Sequence, residues 1–456
     1  MSPQMNDEFH PTRTAALERL SAFVPKAGSA YAARRNYDLG PGQHSNVSTL
    51  SPYLRCRLIM EEEVLQAVLA RHSYQAAEKF IQEVYWRTYW KGWLERRPQV
   101  WHQYQQELSR AWDDLQTQSG LRARWEAACL GETGIDCFDA WAHELTRTGY
   151  LHNHARMWFA SIWVFTLELP WQLGADFFMR HLLDGDPASN TLSWRWVSGI
   201  QTQGKTYLAR TSNISKYTEG RFHPKWQLTS EAHPLSARPT PEPIPLAEDG
   251  TIDPHGKTGY LLHEEDLNPA FVLDGLAHSA SAVLAPQTKF GPLETASHVH
   301  RFRALAIDDT VNRWGDRLGD CARVNDADAI LEWAASNGIK QIVTAYAPIG
   351  PVASVLSDVA QRPEAPKIIR LMRHYDRAAW PHATRGFFPF KKISQHCLKK
   401  CVYSQRHDAE KLPLSPSCLR YISRAPHGHD VQCGIRLCAP LKTAINWSYP
   451  WTVMTF

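Results

Sequence analysis

Residues 148–165 read TGYLHNHARMWFASIWVF, and residues 175–196 read ADFFMRHLLDGDPASNTLSWRW. The first opens an amphipathic helix that carries His152, Asn153, Arg156 and Met157. The second ends in an acidic loop, Asp184-Gly185-Asp186, followed by Asn190 and the paired Trp194 and Trp196. Polar groups in this order suit a large, charged, aromatic cofactor, and the neighbouring tryptophans suit stacking or electron passage. Twelve of the 18 tryptophans lie between Trp86 and Trp196, so the aromatic chemistry is concentrated in the same region.

Working outward, apolar residues recur at helical spacing through LIMEEEVLQAVLARH, AAEKFIQEVYWRTYWKGWLERR and FDAWAHELTRTGYLHNHARMWFASIWVF. Gly- and Pro-bearing connectors such as LGPGQHSN and LDGDPASN separate them. The expected architecture is mainly α, with a helical domain over residues 1–225. The proline-rich HPLSARPTPEPIPLAEDG marks residues 226–300 as a linker or surface wrap. Beyond it, DADAILEWAASNGIKQIVTAYAPIGPVASVLSDVAQ reads helix, turn, strand, helix, so a smaller α/β region is expected over residues 301–395. Residues 396–456 carry no periodicity and are expected to form an irregular tail.

At 456 residues, 43% apolar and 21% charged, the chain has the composition of an ordinary globular protein of two or three domains. No apolar run reaches the roughly 18 to 20 residues of a membrane span. The N-terminal MSPQMNDEFHPTRT lacks a signal-peptide core. A cytoplasmic monomer without a membrane partner is therefore expected. The net charge of +4 announces no bulk affinity for nucleic acid, so any basic surface is local. Nine cysteines are present, but Cys397/Cys401 and Cys433/Cys438 have the wrong spacing for a zinc ribbon or finger, and no metal is expected.

Four motifs, spread over about residues 28 to 215, resemble in sequence and order those of the flavin-binding domain of the cryptochrome/photolyase family. The closest likeness is to photolyases that split cyclobutane pyrimidine dimers. The flavin motifs begin within the first 31 residues, where that family usually places an α/β antenna domain first, so a form lacking the N-terminal antenna is expected. In the first motif, Tyr31-Ala-Ala-Arg-Arg35 precedes VSTLSPYL. The resemblance assigns Tyr31, Ser48, Leu50 and Ser51 to the phosphates and ribose of FAD, and Arg35 to DNA. Hydroxyls and amides at a helix start suit a pyrophosphate. In the second, QEVYWRTYW, Glu83 and Trp86 share one helix face. By resemblance, Glu83 stabilises the negative charge that develops on the dimer and Trp86 packs against it.

In the third, TGYLHNHARM, Asn153 stands where photolyases of six-four lesions usually carry histidine, which favours cyclobutane dimers. Asn153 and Arg156 are assigned to the flavin, Asn153 to the substrate as well, and His154 and Met157 to DNA. In the fourth, LLDGDPASNTLSWRW, the resemblance places Asp184, Gly185 and Asp186 at the isoalloxazine edge and Asn190 opposite its N5. Asn there is typical of repair enzymes rather than signalling cryptochromes. Trp196 takes the position that stacks on a flipped-out dimer. Trp194 and Trp171 take the proximal and middle electron-transfer positions, while the outermost has no clear equivalent. The chain is thus expected to bind FAD and to repair dimer-containing DNA, duplex or single-stranded, by light-driven electron transfer. The alternative is a blue-light sensor of cryptochrome type.

Overall fold

The computed structural model describes residues 9–236, 238–285 and 291–393. The tail expected over residues 396–456, with Cys397, Cys401, Cys433 and Cys438, lies outside the described residues.

The helical half is organised around one long helix, Tyr74–Glu95. Ser73 starts it by accepting the Ala76 amide at 3.2 Å, satisfying one of the donors that a helix start leaves unpaired. From Phe80 to Glu95 almost every residue is buried, so this helix is a core strut rather than a surface element. Helix Asp136–Thr148 stops at Gly149, whose φ of +71° is readily available only to a residue without Cβ. The Gly149 carbonyl then accepts the Leu183 amide at 2.9 Å, drawing the acidic loop against the chain turn before His152.

The second half contains five parallel strands in the order β3-β2-β1-β4-β5. They are β1 (Thr258–His263), β2 (Ala280–Leu284), β3 (Cys321–Val324), β4 (Gln341–Ala345) and β5 (Lys367–Leu371). Strands β1 and β4 are buried throughout, as expected where both faces of a parallel sheet are covered. Alternation sorts their side chains. Tyr260, Leu262 and Val343 join the core of the helical half, while Leu261 and Ile342 pack with Trp333, Val352 and Leu356 on the other face.

This corrects the expected boundary at residue 300. Strands β1 and β2 lie inside the stretch read as linker, so the α/β region begins near residue 258. Both strands are short and parallel, and the chain between them carries no hairpin signal to announce pairing. Upstream of β1, the Arg97 guanidinium donates to the Pro241 carbonyl at 3.0 Å, and the Ile244 amide donates to the Arg96 carbonyl at 2.8 Å. The two halves also meet at Gly92, where an added Cβ would lie 2.7 Å from the Trp380 ring. Among the described residues, no helix is long and apolar enough to cross a membrane.

Candidate functional site

The acidic loop is fixed from three sides. Asp186 caps helix Pro187–Val197, accepting the Ser189 amide at 2.7 Å, with Pro187 supplying the fixed φ of the first turn. Its other oxygen lies 3.2 Å from the Lys91 ammonium. Burial alone would raise the Asp186 carboxyl, but Lys91, Arg87 and Arg55 together hold it well below the usual range, so it stays charged. Asp184 pairs with Arg156 at 2.8 Å, and the Arg156 Nε donates to the Leu151 carbonyl at 2.9 Å. Gly185 offers its carbonyl to Arg55 Nε at 2.7 Å. The two terminal nitrogens of Arg55 then grip Glu265, just past β1, at 2.7 and 2.8 Å. A single buried guanidinium thus ties the loop to the sheet.

The long helix presents Glu83, Arg87, Lys91 and Glu95 at successive i,i+4 positions along one face. Glu83 accepts from Arg35 at 2.8 Å, and Arg87 lies 3.7 Å from Glu61. Lys91 meets Asp186, while Glu95 accepts the Tyr346 hydroxyl at 2.7 Å from the loop after β4. At the neighbouring helix Asn153–Ser161, the capping His152 and the first-turn His154 are buried and bound to carbonyls. The His152 Nε2 is 3.0 Å from the Arg35 carbonyl, and the His154 Nδ1 is 2.9 Å from that of Asn36. Burial pushes His152 down to about 3 and His154 to about 4, so both rings are neutral near pH 7.

The structure therefore joins Arg156, Asp184, Gly185 and Asp186 in one cluster and pairs Glu83 with Arg35. Several candidates are buried or already engaged. Arg35, expected on DNA, is 9% exposed and engaged by Glu83. His154 and Met157, also expected on DNA, are 4% and 2% exposed, because their helix is buried on every side from His154 to Ser161. The His154 ring stacks on Trp158 and its Nε2 lies 3.2 Å from the Tyr207 hydroxyl. Trp86 is buried too, with one indole face covered by Phe387 at a centroid distance of 3.6 Å. Asp186 has both oxygens engaged by the Ser189 amide and Lys91, which leaves less of it for a flavin edge.

The remaining candidates are spread along the same half. Tyr31 is buried edge-on to Phe23 and Phe80. The Ser48 Oγ accepts the Leu50 amide at 3.4 Å, and Ser51 opens the short helix Ser51–Arg55. Leu50 is buried, whereas Asn153 is part-exposed. Trp196 is also part-exposed and stacks on Tyr207 at 5.8 Å. Trp194 packs against Phe178 at 5.1 Å and Trp163 at 6.2 Å, and Trp171 against Tyr104 at 5.5 Å. Trp112 and Trp125, in the same half, form an edge-to-face pair at 5.8 Å. Sequence reasoning missed Arg55, Lys91, Glu265 and Phe387. Only Lys91 left a signal, its i,i+4 spacing from Arg87 and Glu95.

Buried polar atoms without partners show where a ligand would be satisfied. Asp184 Oδ1, Asn190 Oδ1, Ser189 Oγ and Thr191 Oγ1 cluster at the acidic loop and the start of its helix, and Arg87 adds two guanidinium nitrogens without a hydrogen bond, one of them 3.7 Å from Glu61. Groups like these are costly to bury unmet. The Asn190 amide nitrogen is spent on the Ala175 carbonyl at 2.9 Å, so its oxygen is the free end. This mixture of acceptors, hydroxyls and cations fits the flavin dinucleotide that the resemblance implies.

Residues 80–231 match the family described as the FAD binding domain of DNA photolyase. A deoxyribodipyrimidine photo-lyase of Synechococcus sp. is 29% identical over 263 residues, covering 51% of this chain and 51% of that protein. One from Alkalihalophilus pseudofirmus is 31% identical over 193 residues, 42% of this chain and 39% of that one. The chain thus spans about half or less of the length of these relatives. Among solved structures, a class III photolyase from Agrobacterium tumefaciens superposes with a TM-score of 0.40 at 28% identity, over 47% of this chain and 44% of that one.

Proposed function

We propose, from a helical half whose residues 80–231 match the family of FAD binding domains of DNA photolyases, that the protein is a flavoenzyme that splits cyclobutane pyrimidine dimers in DNA under light. The observation that carries this reading is the pair of buried, unpartnered acceptors, Asp184 Oδ1 and Asn190 Oδ1, beside the Arg156–Asp184 ion pair. FAD, when bound and reduced, supplies an electron donor that light makes strong enough to open the dimer, and the electron's return leaves no net oxidation.

The chain's own residues do the rest. Arg156 holds Asp184 in place, and Arg55 holds the Gly185 carbonyl, so the loop is preorganised before any ligand arrives. Tyr31, Ser48, Leu50 and Ser51 would border the phosphates and ribose, as the resemblance implies. Lys91 and Arg87 keep Asp186 ionised, and that charge would contribute to the field around a bound flavin. Glu83 would meet the carbonyl oxygens of the dimer, with Arg35 fixing its carboxyl group. Asn153 and Trp196, both part-exposed, would border the flipped-out dimer. Trp194 and Trp171 would relay electrons that restore reduced flavin.

Phe387 favours a second reading. It closes one face of Trp86 from a segment that leads into the C-terminal residues, the place where a light sensor would couple flavin to an output. The absorption spectrum and flavin stoichiometry of the purified protein, with Asp184→Ala and Asn190→Ala alongside, test the cofactor. About one flavin per chain, lowered in both variants, supports the assignment. A full complement in both would remove the loop from the site.

A further inference from the structure

Next to Tyr207, a shallow cleft of about 600 Å³ runs between residues 208–212 and 223–230. Arg210, His223, Lys225 and Trp226 line it together with small hydroxyl and apolar residues, and no Asp or Glu does. Among the described residues neither Arg210 nor Lys225 makes an ion pair, and both are exposed. Trp226 is exposed over its whole surface and sits at a φ of +62°, a conformation that a bulky side chain adopts only under constraint.

The constraint is visible on both sides of it. The Thr211 hydroxyl donates to the Pro224 carbonyl at 2.9 Å, and the Gln227 side chain donates to the Gly134 carbonyl at 3.0 Å. The backbone is thus tied down around a side chain that touches nothing. A large apolar ring held in water beside unpaired cations matches the pattern of a stacking platform with backbone-tracking charges. Its place also fits, because the cleft begins one residue after Tyr207, on which Trp196 stacks.

We propose that this cleft docks a strand of nucleic acid, with a base stacked on Trp226 and adjoining phosphates on Arg210 and Lys225. The choice of partner rests on the repair reading above. The acid-free lining favours a polyanion over a protein surface of mixed charge. An unpaired base, such as one flanking a flipped-out lesion, would present the ring face that a duplex hides.

The test is fluorescence anisotropy in the dark, with the full chain and a fluorescein-labelled oligothymidylate of about 16 nucleotides. Trp226→Ala is expected to weaken binding about tenfold and Trp226→Phe much less. Arg210→Gln and Lys225→Gln are each expected to reduce the slope of log affinity against log salt by about one. Flavin content, measured on the same samples, verifies that each variant is folded. Equal affinity of Trp226→Ala and wild type would overturn the proposal and leave the exposed indole to a protein partner. So would an absence of binding by the wild type. Strand binding through Trp226 by a protein that holds no flavin would support this inference while sinking the flavin reading.

Discussion

The Phe387 ring lies flat on the Trp86 indole, with centroids 3.6 Å apart and 9° between the planes. The contact ties the last described segment of the α/β half to the helix that carries Glu83. Three backbone anchors hold that segment: the Tyr89 hydroxyl donates to the Arg385 carbonyl, and Arg97 donates to those of Ala383 and Thr384. Phe387 is itself buried, so truncating it removes a stacked pair and opens a cavity. Phe387→Ala is predicted to cost about 3 kcal/mol, read from the midpoint of chemical denaturation. A shift of under about 0.5 kcal/mol, the range of an ordinary surface substitution, would show that the stack contributes little.

Arg55 carries a second link between the halves. Arg55→Met leaves Glu265 buried without its partner and frees the Gly185 carbonyl, with a predicted loss of about 3 to 5 kcal/mol. Adding Glu265→Leu removes the orphaned charge and should restore much of that stability. The Gly185 carbonyl stays unsupported in the double variant, so flavin content is predicted to remain low. Full flavin occupancy in a stable double variant would show that Arg55 serves the fold alone.

Glu95 gives the fold a pH signature. Burial raises its carboxyl to about 7, outweighing the Ile349 amide and the Tyr346 hydroxyl, which favour the ionised form. The folded state therefore binds this proton more tightly than the unfolded chain, whose glutamates ionise near 4.5. Stability from this group is present below about pH 4.5 and falls as pH rises to about 7. His152 and His154 act in the opposite sense, since burial keeps them neutral and acid must charge them on unfolding. The difference in melting temperature between wild type and Glu95→Gln, followed from about pH 5 to about pH 7.5, isolates the carboxyl. The variant is predicted to gain on the wild type as pH rises, and a difference that does not change with pH would contradict the assignment.

The helical half was legible because its signals are local. Helical periodicity marked residues 76–97, close to the observed Tyr74–Glu95, and the order Asp184, Gly185, Asp186, Asn190 carried the loop. Arg156 and Asp184, both assigned to the flavin by the resemblance, pair at 2.8 Å. What the sequence hid is what depends on distant partners. Strands β1 and β2 are joined through the short helix Ala270–Leu273 rather than a hairpin turn, so no local pairing signal separates them from the proline-rich stretch before. Phe387 on Trp86 and Arg55 on Glu265 join residues hundreds of positions apart, and only the sheet's packing against the long helix brings them together. The assignment of His154 and Met157 to DNA came from the resemblance, and nothing local in the sequence shows that their helix is buried on every side.

The measurement closest to the central claim is the loss of cyclobutane pyrimidine dimers from DNA incubated with the purified, chemically reduced protein under blue light, against a dark control and Glu83→Gln. The account predicts light-dependent loss, slowed about 10- to 100-fold in the variant, in line with removal of a group that stabilises developing charge. A protein carrying its full complement of reduced flavin that leaves the dimers untouched in the light would contradict it.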